Sequence, residues 1–116
     1  MLPQTSLSTL MAYTDWADRT LYAAVASAPE AVVRAPRSGR PGGMLGTLSH
    51  IYVVDLIWKG HLTGTPHGQT SRNLDTPLPL QELSERQAGI DRWYLAMTQA
   101  LAPSALADPV SFTFVD

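Results

Sequence analysis

Three stretches of this chain repeat apolar residues at steps of three and four, and that period limits its fold more than any other feature. In SLSTLMAYTDWADRTLYAAVASA, residues 6–28, the stripe is Leu7, Leu10, Met11, Ala17, Leu21, Ala24, Val25 and Ala28, with Asp15, Asp18 and Arg19 off it. The spacing predicts a first helix that ends before Pro29, with Thr5 or Ser6 as N-cap, since a hydroxyl there accepts from an orphan amide of the first turn. A second helix is predicted from Met44 to Leu62, with Gly64 suited to the left-handed C-terminal cap. At about 100° per residue, Ile51, Val54, Trp58 and Leu62 form its apolar face, Ser49, Tyr52 and Lys59 lie opposite, and His50 sits on the flank. A third helix is predicted from Leu80 to Leu101, carrying Leu83, Gln87, Ile90, Tyr94, Met97 and Leu101 on its stripe.

Between these lie two loops rich in turn formers. Residues 29–43 hold Pro29, Pro36, Pro41, Gly39, Gly42 and Gly43, with one helical turn expected at PEAVV; residues 65–79 form the other. The tail DPVSFTFVD alternates Val110, Phe112 and Phe114 with smaller residues, a strand-like pattern. One short strand is not stable alone, so its partner would come from further chain or from another copy. Three long amphipathic helices and a short C-terminal extended segment predict an all-α fold, a helical bundle with antiparallel neighbours, in a single domain over residues 1–116.

Composition excludes several classes of function. The 116 residues include no cysteine, which removes disulfides, thiolate metal sites and cysteine nucleophiles. A net charge of −2 lacks the basic footprint of a nucleic-acid binder. Arg34, Arg37 and Arg40 cluster in RAPRSGRPGG, where proline and glycine prevent a helix from aligning them, so a solvated loop is expected. The longest apolar run, IYVVDLIW, is too short to span a bilayer, and the first residues lack the pattern of a secretory signal, so a cytoplasmic protein is expected.

Few residues carry chemistry. At i±3 and i±4 from His50 stand Gly46, Thr47, Val53 and Val54, none a usual strong ligand, and His61 lies about 16 Å along the axis, too far to share a metal. By local spacing His50 is a hydrogen-bonded core residue; as a ligand it would need partners from another helix. Asp55 lies about 140° around the helix from His50, so it is expected to be a boundary carboxylate bonded to a neighbouring helix. Ser49 beside His50 makes no triad, because adjacent helical residues diverge and no third member is placed. The pairs Asp15/Asp18 and Glu82/Glu85 fall near polar faces and are expected to be solvated. Trp16, Trp58, Trp93, Tyr13 and Tyr94 are expected in the core or lining a groove.

The order of residues carries a further signal. YTDWADRTLYAAVASAP, with Tyr13, Trp16 and Ala17, followed by GGMLGTLSHIYVVDLIWKGHLTG, with Thr47, Leu48, His50, Asp55, Trp58 and Gly64, resembles the two opening helices of the DinB family of DNA-damage-inducible proteins. LQELSERQAGIDRW is similar to that family's third helix, and VSFTFVD to the extended segment after it. The resemblance implies a four-helix bundle, often a homodimer, in which three histidines bind a divalent metal such as zinc, nickel or iron. It places one ligand at His50 and the other two in a His-x-x-x-His motif on a fourth helix, a motif that His61 and His67 do not make. It also implies metal-dependent, thiol-dependent transferase or hydrolase chemistry on a small molecule or low-molecular-weight thiol, with the metal activating the thiol or a water. The alternative is a non-catalytic helical module acting through homodimerisation.

Overall fold

The computed structural model describes residues 3–37 and 42–115, and the regular structure among them is helical, with no strand. Helix α1 runs Pro3–Ala26, α2 Glu30–Arg34, α3 Gly43–Thr63 and α4 Leu80–Ala100, and a 3₁₀ helix spans Pro103–Ala107. Helix α4 packs against both α1 and α3, α2 braces α3, and the 3₁₀ helix rests on α1. The resulting body measures 48 × 29 × 23 Å, with its length set by helices of 21 to 24 residues.

Helix boundaries follow local chemistry. Pro3 opens α1, where its missing N–H costs nothing and its fixed φ suits the first turn. Thr5 and Ser6 therefore fall inside α1 and not at its N-cap position, and their side chains lie outside the described residues. The turn expected at PEAVV is α2, held by an Arg34–Glu30 pair at 3.0 Å. Arg34 and Arg37 are exposed, as expected of a solvated loop, while Arg40 lies outside the described residues. At the other end of the connection Gly43 adopts φ 63°, and a side chain there would collide with the carbonyl oxygens of Val33 and Ala35. Only glycine lets α3 begin so close to the end of α2. Gly64 closes α3 in the left-handed conformation at φ 69°, as its position predicted.

The core joins Tyr22 and Val25 of α1, Val33 of α2, Leu45, Leu48 and Tyr52 of α3, and Leu83 and Ile90 of α4. Two expected faces are corrected. On α3 the buried face carries Leu45, Leu48, Ser49, Tyr52, Val53 and Ile57, whereas Ile51, Trp58 and Leu62 are exposed. Helix α3 is apolar around most of its circumference, so period alone does not choose a face, and contact with α2 and α4 does. Tyr52 accommodates this by burying its ring while its hydroxyl meets the Arg86 guanidinium of α4. On α1 the buried face is centred on Tyr22 and Val25, which leaves Leu10 and Leu21 exposed.

The strand expected at the tail is also corrected. Residues 108–115 are extended without a ladder, and Val110, Phe112 and Phe114 are exposed. Side chains hold the segment instead. The Phe112 ring lies 4.8 Å from that of Trp58 and 5.0 Å from that of His61, centroid to centroid, and the Arg72 guanidinium stands 5.3 Å over Phe114.

Candidate functional site

His50 projects from the second turn of α3 toward the 65–79 loop and is half-buried. Its Nδ1 lies 2.8 Å from the backbone carbonyl oxygen of Arg72. A carbonyl can only accept, so Nδ1 carries the hydrogen and, in the neutral ring, Nε2 keeps the lone pair. The other two histidines gather at the far end of α3, their ring centroids 5.2 Å apart. His67 Nδ1 accepts from the Gln69 amide at 2.9 Å, which places the hydrogen of its neutral ring on Nε2. Among the described residues no three His, Asp or Glu side chains come together in a group able to hold a metal ion.

A second constellation lies where α1, α3 and α4 meet. Helix α1 contributes Asp18 and Tyr22, α3 contributes Asp55, and α4 contributes Gln87, Asp91 and Tyr94. The i, i+4 spacing of Asp18 with Tyr22 and of Gln87 with Asp91 sets each pair on one helical face. Gln87 bridges helices, its Nε2 donating to Oδ2 of Asp55 at 2.8 Å and to Oδ1 of Asp91 at 3.0 Å. Tyr94 Oη donates to the backbone carbonyl of Asp55 at 2.6 Å.

Electrostatics in this centre run one way. Burial raises the Asp91 carboxyl to about 8, helped by its contact with the Asp18 side chain and opposed by the Gln87 bond, so Asp91 keeps its proton at neutral pH. Burial also raises Asp55, again against the Gln87 bond, with the Asp18 charge adding to the rise. Burial, and then Asp18 for Tyr22 and Asp55 for Tyr94, push both phenols upward. Asp91 is 3 % exposed and Gln87 1 %, yet Oδ2 of Asp91, Oε1 of Gln87 and Oη of Tyr22 meet no hydrogen-bond partner.

Asp91 borders two clefts. The larger, about 380 Å³, lies among Met11 and Thr14 of α1, Asp55, Trp58 and Leu62 of α3, and Asp91 and Tyr94 of α4. The smaller, about 220 Å³, is lined by Asp18, Arg19 and Tyr22 of α1 and Ser84, Gln87 and Asp91 of α4. Comparison with family models, with curated proteins and with solved structures finds no match. The chemistry of this chain is therefore read from its own residues.

Several sequence expectations meet their geometry here. Asp55 accepts from a neighbouring helix, as a boundary carboxylate should. Asp15, Glu82 and Glu85 are engaged at the surface, with Arg19 at 3.1 Å, Arg86 at 2.8 Å and Gln81 at 3.0 Å respectively. Asp18 departs from expectation, because it faces Asp91 across the α1–α4 contact. Tyr13 and Trp16 are exposed on α1 and so belong to no core, whereas Trp58 and Tyr94 line the larger cleft. Ser49 is buried, and its hydroxyl has no partner, so it forms no nucleophilic pair with His50. Asp91 carried no sequence signal beyond its spacing from Gln87.

Proposed function

We propose that this chain is a DinB-like helical domain and that His50 is its contribution to a divalent-metal site. The observation that supports the reading is the bond from His50 Nδ1–H to the Arg72 carbonyl. Metal-ligating imidazoles are commonly held in this way, with one nitrogen donating to a carbonyl and the other left to the metal. The all-helical architecture and the Thr47, Leu48, His50, Asp55, Trp58, Gly64 spacing agree with it. The residues at hand supply one ligand of the three the resemblance implies. A single imidazole does not hold a metal tightly, so these residues alone do not account for thiol transfer or hydrolysis. Metal analysis of the purified protein beside His50→Ala tests the reading. Stoichiometric zinc, nickel or iron in the first and its loss from the second are expected; a metal-free native protein would sink it.

A second reading, a non-catalytic module that homodimerises, draws on α1. Leu10, Tyr13, Ala17 and Leu21 follow one another along one side of that helix, and the three large ones are exposed. A stripe of this kind marks association when it is covered by a second copy. Light scattering across concentration distinguishes the outcomes: a dimer that dissociates on Tyr13→Glu supports it, and a stable monomer overturns it.

A further inference from the structure

Three carboxylates from three helices meet at the two clefts without a cation. Among the described residues, no ion pair involves Asp18, Asp55 or Asp91. Arg19 borders the smaller cleft, but its guanidinium is turned to Asp15 at 3.1 Å. Lys59 lies 4.9 Å over the Trp93 ring and Arg86 is held by Glu82. Buried anions without a counter-charge are costly, and proteins pair them or neutralise them. This centre keeps a proton on Asp91. Asp55 and Asp91 also converge on a single amide nitrogen, so their bonded oxygens lie within the reach of one multi-donor cation.

One carboxylate oxygen of this centre is left without a partner. Oδ2 of Asp91 is buried and lacks a donor, and Asp91 borders both clefts. Above it the larger cleft is walled by Met11, Trp58 and Leu62, and its volume of about 380 Å³ lies in the range of small-molecule sites. A bare divalent ion does not suit this arrangement, because no three acidic or histidine side chains gather within reach of one metal among the described residues. An ammonium head does suit it, with three N–H donors, and its apolar body matches the walls, where the half-exposed Trp58 ring offers a π face.

We propose that the cleft between α1, α3 and α4 binds a small organic ammonium ion, its N–H groups donating to Asp91 and Asp55 and its apolar body lying against Trp58, Leu62 and Met11. The site is separate from His50 and does not depend on the metal reading. Binding exchanges charge cleanly: the ammonium keeps its protons, Asp91 releases one to solvent, and the ion pair replaces the neutral acid. The groups facing Asp91 are Asp18, Arg19 and Tyr22 from α1, Asp55 from α3, and Gln87 and Tyr94 from its own helix. Affinity therefore rises with pH, by up to tenfold per unit, until Asp91 ionises without help.

Titration of the protein with benzylammonium, beside neutral benzyl alcohol and followed by calorimetry and amide chemical shifts, tests the proposal. Benzylammonium is expected to bind at least tenfold more tightly than the alcohol, to release a proton at pH 6.5, and to weaken tenfold or more in Asp91→Asn. That variant keeps its bond from Gln87, and its melting temperature checks its fold. Trp58→Leu, at the exposed rim, is expected to weaken binding several-fold without loss of structure. Equal affinity for amine and alcohol, or undiminished amine binding in a folded Asp91→Asn, overturns the proposal. Saturation by calcium at lower concentration than by benzylammonium overturns it as well.

Discussion

Nε2 of Gln87 on α4 lies 2.8 Å from Oδ2 of Asp55 on α3, and this bond ties two helices through a neutral amide. The same nitrogen also serves Asp91 at 3.0 Å, so one side chain supplies both hydrogens to two acids. Gln87→Leu keeps the volume but strips both acids of their donor, which should cost about 1–3 kcal/mol at neutral pH. Gln87→Glu places another carboxyl among three. Its deficit should shrink on acidification, because protonated acids donate to one another where ionised ones repel. Urea midpoints at pH 5 and pH 8 check both; a Gln87→Leu midpoint equal to wild type would show that the bridge contributes no stability.

The proton on Asp91 sets a pH dependence with a definite sign. Its carboxyl is raised to about 8 in the fold and titrates near about 3.9 when unfolded. Between those values the native state holds a proton that the unfolded chain has lost, so stability falls as pH rises, by at most about 1.4 kcal/mol per unit. Below that window the group contributes nothing, and above it the deficit is constant. Asp91→Asn removes the titration while its side-chain oxygen can still accept from Gln87. The variant is expected to gain on wild type between pH 5 and pH 8.5 in chemical denaturation. Parallel stability curves for the two proteins would contradict this assignment.

The helices were legible in the sequence and their faces were not. Period located α3 and α4 to within a residue of their observed ends, and Gly64 marked the end of α3, because caps and breakers act through neighbouring backbone alone. Which side of α3 is buried depends on α2 and α4, and a helix apolar on most sides carries no record of them, so Tyr52 and Ser49 turned inward against expectation. The same limit hid the polar centre. Gln87 sat on the predicted stripe as a tolerated polar member, and Asp55 was correctly expected at a helix boundary. Asp18 lies about 20° around its helix from Met11 and Val25, and Asp91 about 40° from Gln87, so both stand beside the apolar stripes; their charge, not their angle, made them read as solvated. His50 was placed on a flank, where either a bonded core residue or a ligand would stand.

Gly43 offers a test of the α2–α3 junction. Its φ of 63° is unfavourable for a side chain, and a methyl group there would meet the carbonyl oxygens of Val33 and Ala35, backbone atoms with little freedom to move. Gly43→Ala should therefore cost roughly 2–4 kcal/mol, from left-handed strain and overpacking together. Gly64→Ala meets the strain without the collision, since nothing lies within 4 Å of the added carbon, so roughly 1 kcal/mol is expected. Thermal melts of the two variants should differ in that order. A reversal would mean that the start of α3 shifts freely.

The bond from His50 to the Arg72 carbonyl makes a local prediction, independent of metal. It ties the middle of the 65–79 loop to α3, and Arg72 itself is exposed. His50→Ala removes it at a cost of about 1 kcal/mol. The loop should then open more often, and the peptide bond after Arg72 should be cut faster by trypsin than in wild type, while sites within α4 such as Arg86 stay protected by the helix. Mass spectrometry of timed digests reads the cleavage at Arg72 directly. An unchanged rate there, with an unchanged melting temperature, would show that the 65–79 loop is held by its other contacts and that His50 is free for another role.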